Sequence, residues 1–215
     1  MSMLLLCLTL GIRLLNPHMN DGWAEVGIDG DSNTNAAYFT RVWPIQLDET
    51  MTAADLDYGY VVRSVAYGGK TVRQMVDGAA AEIDPFIRYP GVCIIMGGVN
   101  DLAGGASQDT TYQRIVTFCN QRRAAGWYVI LCTYPSGDSR AAMPVVNDSL
   151  VVHYATFADD IILLHNDANI GDLSDSTNLT YWVNTGHISE TGAGIVADSV
   201  WKHLEPVIYN LRRGL

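Results

Sequence analysis

Lysine is almost missing from this chain. Lys70 and Lys202 are the only lysines among thirteen basic residues, set against 23 acidic ones for a formal charge of −10. A nucleic-acid binder clusters Lys and Arg on one face to neutralise phosphates. The basic pairs here, Arg122-Arg123 and Arg212-Arg213, stand in helix-like stretches, so neither nucleic acid nor an anionic membrane is expected as a partner. Cysteine is scarce too. Cys7, Cys93, Cys119 and Cys132 form no C-x-x-C pair, which argues against a zinc site or a redox couple. So few cysteines in a chain of this length do not make a disulfide framework. Cys93 and Cys132 sit inside apolar runs and read as small hydrophobes. No G-x-G-x-x-G or P-loop motif follows a strand-like run, so a dinucleotide-binding domain is not expected, and no cofactor or metal is implied.

No apolar segment is long enough to span a bilayer. The N-terminal "MSMLLLCLTLGIRLL" is short and carries Arg13. It has the apolar length of a secretion leader but lacks a basic start and a small-x-small cleavage site. Residues 1–22 are therefore expected as an extension, an extra helix or strand packed on a domain spanning 23–215, and not as a cleaved leader. No repeat, low-complexity tract or linker divides the rest.

What is present is alternation. With 215 residues, 48% hydrophobic and 17% charged, the chain is long enough to bury about 70% of its unfolded surface as one domain. Strand-like runs occur at 25–30, 58–67, 91–98, 127–135 and 160–167. Between them lie helix-like stretches at 35–47 (disturbed by Pro44), 71–83, 111–126 and 143–158. A polar loop is expected over 168–186, and then a terminal helix over 188–213, broken near Pro206. The run "GVCIIMGG" is continuously apolar between glycines, the mark of a central strand buried on both faces. Such alternation predicts an α/β fold: a three-layer α/β/α sandwich around a mostly parallel five-stranded sheet.

Ligands of these sheets bind beyond the carboxyl ends of the strands. Three such ends are Gly-containing and polar: Gly30-Asp31-Ser32, Tyr67-Gly68-Gly69 and Gly98-Val99-Asn100-Asp101. Acyl transfer needs a nucleophile, a base beside it, a group orienting the base, and donors for an oxyanion. Ser32 offers a hydroxyl, though Ser before a helix is also a preferred N-cap. The backbone N–H groups of Ser32 and Gly69 and the side-chain amide of Asn100 are candidate oxyanion donors. Of five histidines, His18 lies in the N-terminal segment and His153 and His203 lie in helix-like runs. His165 ends a strand, and His187 stands in "NTGHISETG", ahead of the last helix.

Taken together, "GDSNT" (30–34), "YGGKT" (67–71), "GGVND" (97–101) and "GHISETG" (186–192) resemble the four sequence blocks of the SGNH, or GDSL-type, hydrolases. They come in that family's order and near its spacing, over about residues 25 to 205. The resemblance implies a flavodoxin-like sandwich and ester hydrolysis through an acyl-enzyme. It makes Ser32 the nucleophile, His187 the base, and Ser32, Gly69 and Asn100 the oxyanion hole. Asp31 would shape the nucleophile's turn and Asp101 the Asn100 loop. One position departs. The family's last block reads Asp-x-x-His, and here Asn184 stands three before His187. Asn184, Asp172, Asp175 or a backbone carbonyl could orient the ring. Asn33, Tyr181 and Trp182 are candidates to line the substrate. The two aromatics serve equally well to pack the loop onto the sheet.

The expected substrate is a small ester with a short acyl group, such as an acetyl group on a carbohydrate, because no exposed apolar tract suggests a lid. Two rivals remain. One is a binding module that has lost its chemistry, motivated by Asn184. The other is a Mg²⁺-dependent phosphatase of the haloacid-dehalogenase type, motivated by the Asp-x-Asp of Asp29 and Asp31 with Asp159-Asp160 as its acidic pair. The acidic pair precedes its strand and Lys70 lies on the wrong loop for that chemistry.

Overall fold

Continuous apolar runs, not alternating ones, set the architecture. A computed structural model describes residues 23–35, 40–54, 59–87, 91–135 and 142–213. The strands are β1 (Trp23–Gly30), β2 (Gly59–Ser64), β3 (Gly91–Met96), β4 (Tyr128–Cys132) and β5 (Asp160–Ile162). All pair in parallel, in the order β2-β1-β3-β4-β5. Every residue of β3 is buried, as a strand with helices over both faces requires.

The helices are α1 (Trp43–Ala53), α2 (Val72–Glu82), α3 (Val99–Ala103), α4 (Gln108–Ala125), α5 (Met143–His153) and α6 (Glu190–Arg213). Helices α1 and α6 pack on each other, and α2, α4 and α5 pack side by side. The result is the expected three-layer sandwich with helices on both sides of the sheet. Local chemistry starts and stops the helices, α4 beginning three residues ahead of the expected 111. Thr71 and Gln74 form a reciprocal capping box at the start of α2. Ser107 caps α4, which ends on Gly126 in the left-handed region. No described helix is long and apolar enough to cross a membrane.

Several elements differ from expectation. Helix α3 lies where no helix is expected, and α5 stops at His153, short of the expected 158. Helix α1 starts at Trp43 with Pro44 in its first turn, where the missing N–H has no intrahelical partner to lose. The proline opens this helix and does not disturb it. Strand β5 stops at Ile162 and the chain enters a 3-10 turn at Leu164–Asn166. The expected loop contains a 3-10 turn, Leu173–Thr177, and a small antiparallel hairpin of β6 (Trp182–Asn184) and β7 (His187–Ile188). Helix α6 runs unbroken through Pro206. Both Pro206 and Lys202, whose carbonyl loses its donor, face solvent. The expected extension 1–22, with Cys7 and His18, lies outside the described residues.

The buried Arg122 is paired, as burial of charge demands. Arg122 meets Asp84 at 2.7 Å near the amino end of β4. Arg123, more exposed, meets Asp159 at 3.2 Å, so both members of this basic pair are engaged by acids of the same chain. Cys93, Cys119 and Cys132 are free and buried, and burial pushes the Cys119 thiol up to about 12. The strand order reverses between β1 and β3, so the crevice of such a sheet opens beyond their carboxyl ends. Ser32 follows β1 and Asn100 follows β3.

Candidate active site

The turn after β1 is built by Asp31. Its buried Oδ1 accepts the Asn33 N–H at 2.9 Å and the Tyr134 hydroxyl at 3.2 Å, while its carbonyl accepts Thr34 and Asn35 N–H groups. This Asx-type turn needs a residue without a side chain at Gly30, where a Cβ would come within 2.2 Å of Thr34 Oγ1. The turn lifts Ser32 to the half-buried surface. Its Oγ lies 3.0 Å from His187 Nε2, so the hydroxyl is engaged by the imidazole.

His187 begins β7. Its Nδ1 lies 3.0 Å from Asn184 Oδ1, and the same oxygen accepts the Gly186 N–H at 2.9 Å. The second contact fixes the amide, because a backbone N–H can only donate and so selects the oxygen. An oxygen facing Nδ1 makes that nitrogen the protonated one. Nε2 is then bare and accepts from the Ser32 hydroxyl. The Asp175 carboxylate is engaged within the 3-10 turn, where its Oδ2 accepts the Asp172 N–H at 2.8 Å.

Asn33 does not line an open substrate site. It is 3% exposed, and its amide is fully used. Nδ2 donates to the Gly186 carbonyl at 2.9 Å and to the Tyr134 hydroxyl, while Oδ1 accepts the Ile188 N–H at 2.9 Å. The neighbour of Ser32 thus grips both neighbours of His187. Tyr134, which sequence reasoning did not single out, completes the support, and its backbone exchanges two bonds with the buried Asn147 amide. The available signal was a tyrosine at the carboxyl end of an apolar strand. Replacing Asn33 by Ala strands the Ile188 N–H and loosens the hairpin. It should cost about 2–4 kcal/mol of stability and about 10²-fold in kcat at little change in KM. Chemical denaturation and steady-state kinetics check both, and an unchanged kcat rejects the strut.

The turn after β2 also comes close to the serine. A Cβ on Gly68 would sit 4.0 Å from Ser32 Cβ, so this turn flanks the serine. Gly69 has φ +78°, and a Cβ there would meet nothing within 4 Å. Its face is open. Asn100 Nδ2 donates to the Lys70 carbonyl at 3.1 Å. Asp101, buried, accepts the Val72 N–H at 2.6 Å and the Arg114 guanidinium at 2.8 Å, which ties α3 to the start of α2.

The remaining candidates fall outside this cluster. Trp182 is 1% exposed, with its indole N–H on the Asn169 carbonyl, and Tyr181 packs half-buried against the core. Trp182 therefore fastens the loop and forms no wall of an open site. His165 faces Thr133 Oγ1 at 2.9 Å, and burial lowers its pKa. His203 pairs with Asp160 at 2.7 Å, and His153 stands edge-on to Tyr112. Asp29 is fully buried on β1 and binds Lys70 Nζ at 2.8 Å. Burial pushes its carboxyl up to about 6 against the pull of Lys70. Lys70 does reach this aspartate from its loop, but a carboxylate sealed inside the sheet cannot attack a phosphate. Asp159 and Asp160 are committed to Arg123 and His203 at the amino end of β5. Among the described residues no group of three or more His, Cys, Asp or Glu is placed to hold a metal ion.

No family profile and no curated protein matches the chain. Solved structures do. A lipase/acylhydrolase from Enterococcus faecalis superposes with a TM-score of 0.71 at 16% identity, over 85% of this chain and 96% of that one. The psychrotrophic esterase EstA from Pseudoalteromonas sp. gives 0.69 at 15% identity, over 86% and 99%. An acetylxylan esterase from Geobacillus stearothermophilus gives 0.67 at 16%, over 84% and 93%. The fold is that of the GDSL-type, or SGNH, esterases and lipases.

Proposed function

We propose that this protein is a serine hydrolase of the SGNH type that cleaves short-chain acyl esters through an acyl-enzyme. One observation carries the reading: Ser32 Oγ, His187 and Asn184 Oδ1 form a continuous chain of 3.0 Å contacts with the tautomer set correctly. Ser32 Oγ attacks the ester carbonyl carbon and its proton passes to Nε2. The carbonyl oxygen, now negative, accepts from the N–H groups of Ser32 and Gly69 and the free hydrogen of the Asn100 amide. Collapse expels the alcohol, which takes the proton from Nε2. Water then repeats the sequence on the acyl-serine and releases the acid. The esterases of like fold, two of them named for acetylxylan, support an acetyl group on a carbohydrate as substrate. Turnover of p-nitrophenyl acetate in EDTA, falling as the acyl chain lengthens, is expected. A maximum at long chains rejects the short-acyl assignment, and no turnover of any ester favours a binding module.

Asn184 is the point where this triad differs. A carboxylate in its place would accept the same two N–H groups and would also stabilise the imidazolium. Asn184 is exposed, so solvent screens that charge to about 1 kcal/mol or less. Asn184→Asp should therefore leave kcat/KM equal or raise it up to about fivefold. Asn184→Ala should lower it only about tenfold, the worth of one hydrogen bond. Steady-state kinetics on the folded variants decide. Collapse of Asn184→Asp would mean the loop is built around the amide.

A further inference from the structure

Of the two lysines, Lys202 is exposed and Lys70 is wholly buried. An ammonium has three hydrogens, and all three find acceptors: Asp29 Oδ1 at 2.8 Å, Glu82 Oε2 at 2.9 Å and the Val65 carbonyl at 3.1 Å. These come from the end of β1, the end of α2 and the segment after β2. The Tyr67 ring lies 5.0 Å from Nζ. A buried ion pair is rarely worth more to stability than apolar side chains of the same volume, so its use here asks for another reason.

The backbone supplies one. The Lys70 N–H donates to the Tyr67 carbonyl at 3.2 Å and closes the turn that holds Gly68 and Gly69. The Lys70 carbonyl accepts the Asn100 amide. Lys70 thus stands between the two oxyanion donors that do not belong to Ser32: the Gly69 N–H, one residue away, and the Asn100 side chain, bonded to it.

We propose that Lys70 is a positioning residue of the oxyanion hole. Its ammonium, clamped by Asp29, Glu82 and Val65, fixes where the Gly69 N–H and the Asn100 amide stand. The proposal rests on the hydrolase reading for its kinetic consequence only. Nζ lies inside the protein against Asp29, so it touches no substrate and acts through the turn. A shift of about 1 Å in such donors costs about 10²-fold in rate.

Lys70→Met matches the four-atom apolar stem of the side chain and removes the ammonium. The expected result is a kcat lowered about 10²-fold at nearly constant KM. In ¹⁵N spectra the Gly69 amide and the Asn100 side-chain resonances should shift and broaden, while the Trp127 indole should not. Adding Asp29→Asn removes the carboxylate left unpaired, so the double variant should recover melting temperature while its kcat stays low. It also serves for every measurement if the single variant does not fold. Arg122→Met, which breaks the distant pair with Asp84, should lower the melting temperature and leave kcat unchanged. Recovery of kcat together with Tm in the double variant overturns the proposal. So do Gly69 and Asn100 resonances that stay in place when the ammonium is gone. The spectra are read whether or not the wild type turns over an ester. A wild type without Ser32-dependent turnover ends the hydrolase reading, and the clamp then stands or falls on the resonances.

Discussion

Ser32→Ala should fold as the parent does and hydrolyse esters about 10⁴- to 10⁶-fold more slowly. The structural cost is small because the partner of its Oγ is His187 Nε2, at a half-buried surface. Losing that one hydrogen bond is worth about 1 kcal/mol. The turn itself is held by Asp31 and Asn33, which the substitution leaves alone. The chemical cost is nearly total because no other hydroxyl stands beside the imidazole among the described contacts. A fluorophosphonate should label Ser32 and no other serine. His187→Ala should fall by a similar factor, since Nε2 is the acceptor placed beside the Ser32 hydroxyl. The two losses should not add in the double variant, because each removes the same step. Mass spectrometry of the labelled protein and turnover of p-nitrophenyl acetate measure these outcomes. Robust hydrolysis by Ser32→Ala, or label on another residue, rejects the nucleophile.

The sheet was legible because its central strand is buried on both faces, and "GVCIIM" can be little else. The end of α4 was legible because Gly126 acts on its own neighbours, whereas its start, capped by Ser107, falls three residues ahead of the expected 111. Chemistry at the strand ends could be suspected from glycines and polar residues where apolar runs stop. The hairpin that carries His187 was not legible. Strands of two and three residues have no periodicity to read, and their anchor is Asn33, 155 positions from Ile188 in sequence. Asn33 itself misled for a related reason: a polar residue next to a candidate nucleophile suggests substrate, and the sequence does not say which way it turns. Asn184 shows the same limit from the chemical side. Its residue type is visible in the sequence, but the direction of its amide, set by the Gly186 N–H, is not. Pro44 suggests a disturbed helix, and its place in the first turn makes it a helix opener.

Asn100→Ala should lower kcat by about 10² to 10³ with KM nearly constant. The amide carries two hydrogens. One is committed to the Lys70 carbonyl at 3.1 Å, which orients the group. In the proposed mechanism the other serves the oxygen that becomes negative as Ser32 attacks. A ground-state carbonyl takes little from such a donor and an oxyanion takes much, so the loss belongs to kcat. The helix that bears Asn100 keeps its place without the side chain, because Asp101 holds α3 to Val72 and Arg114. Asn100→Asp should be worse than Asn100→Ala. A carboxylate has the same shape but can only accept, so it repels both the Lys70 carbonyl and the forming oxyanion. Affinity for a boronic-acid analogue of the tetrahedral state should fall in step with kcat across the two variants. A change confined to KM, or Asn100→Asp as active as the parent, would show that Asn100 binds substrate or shapes the loop without donating to the oxyanion.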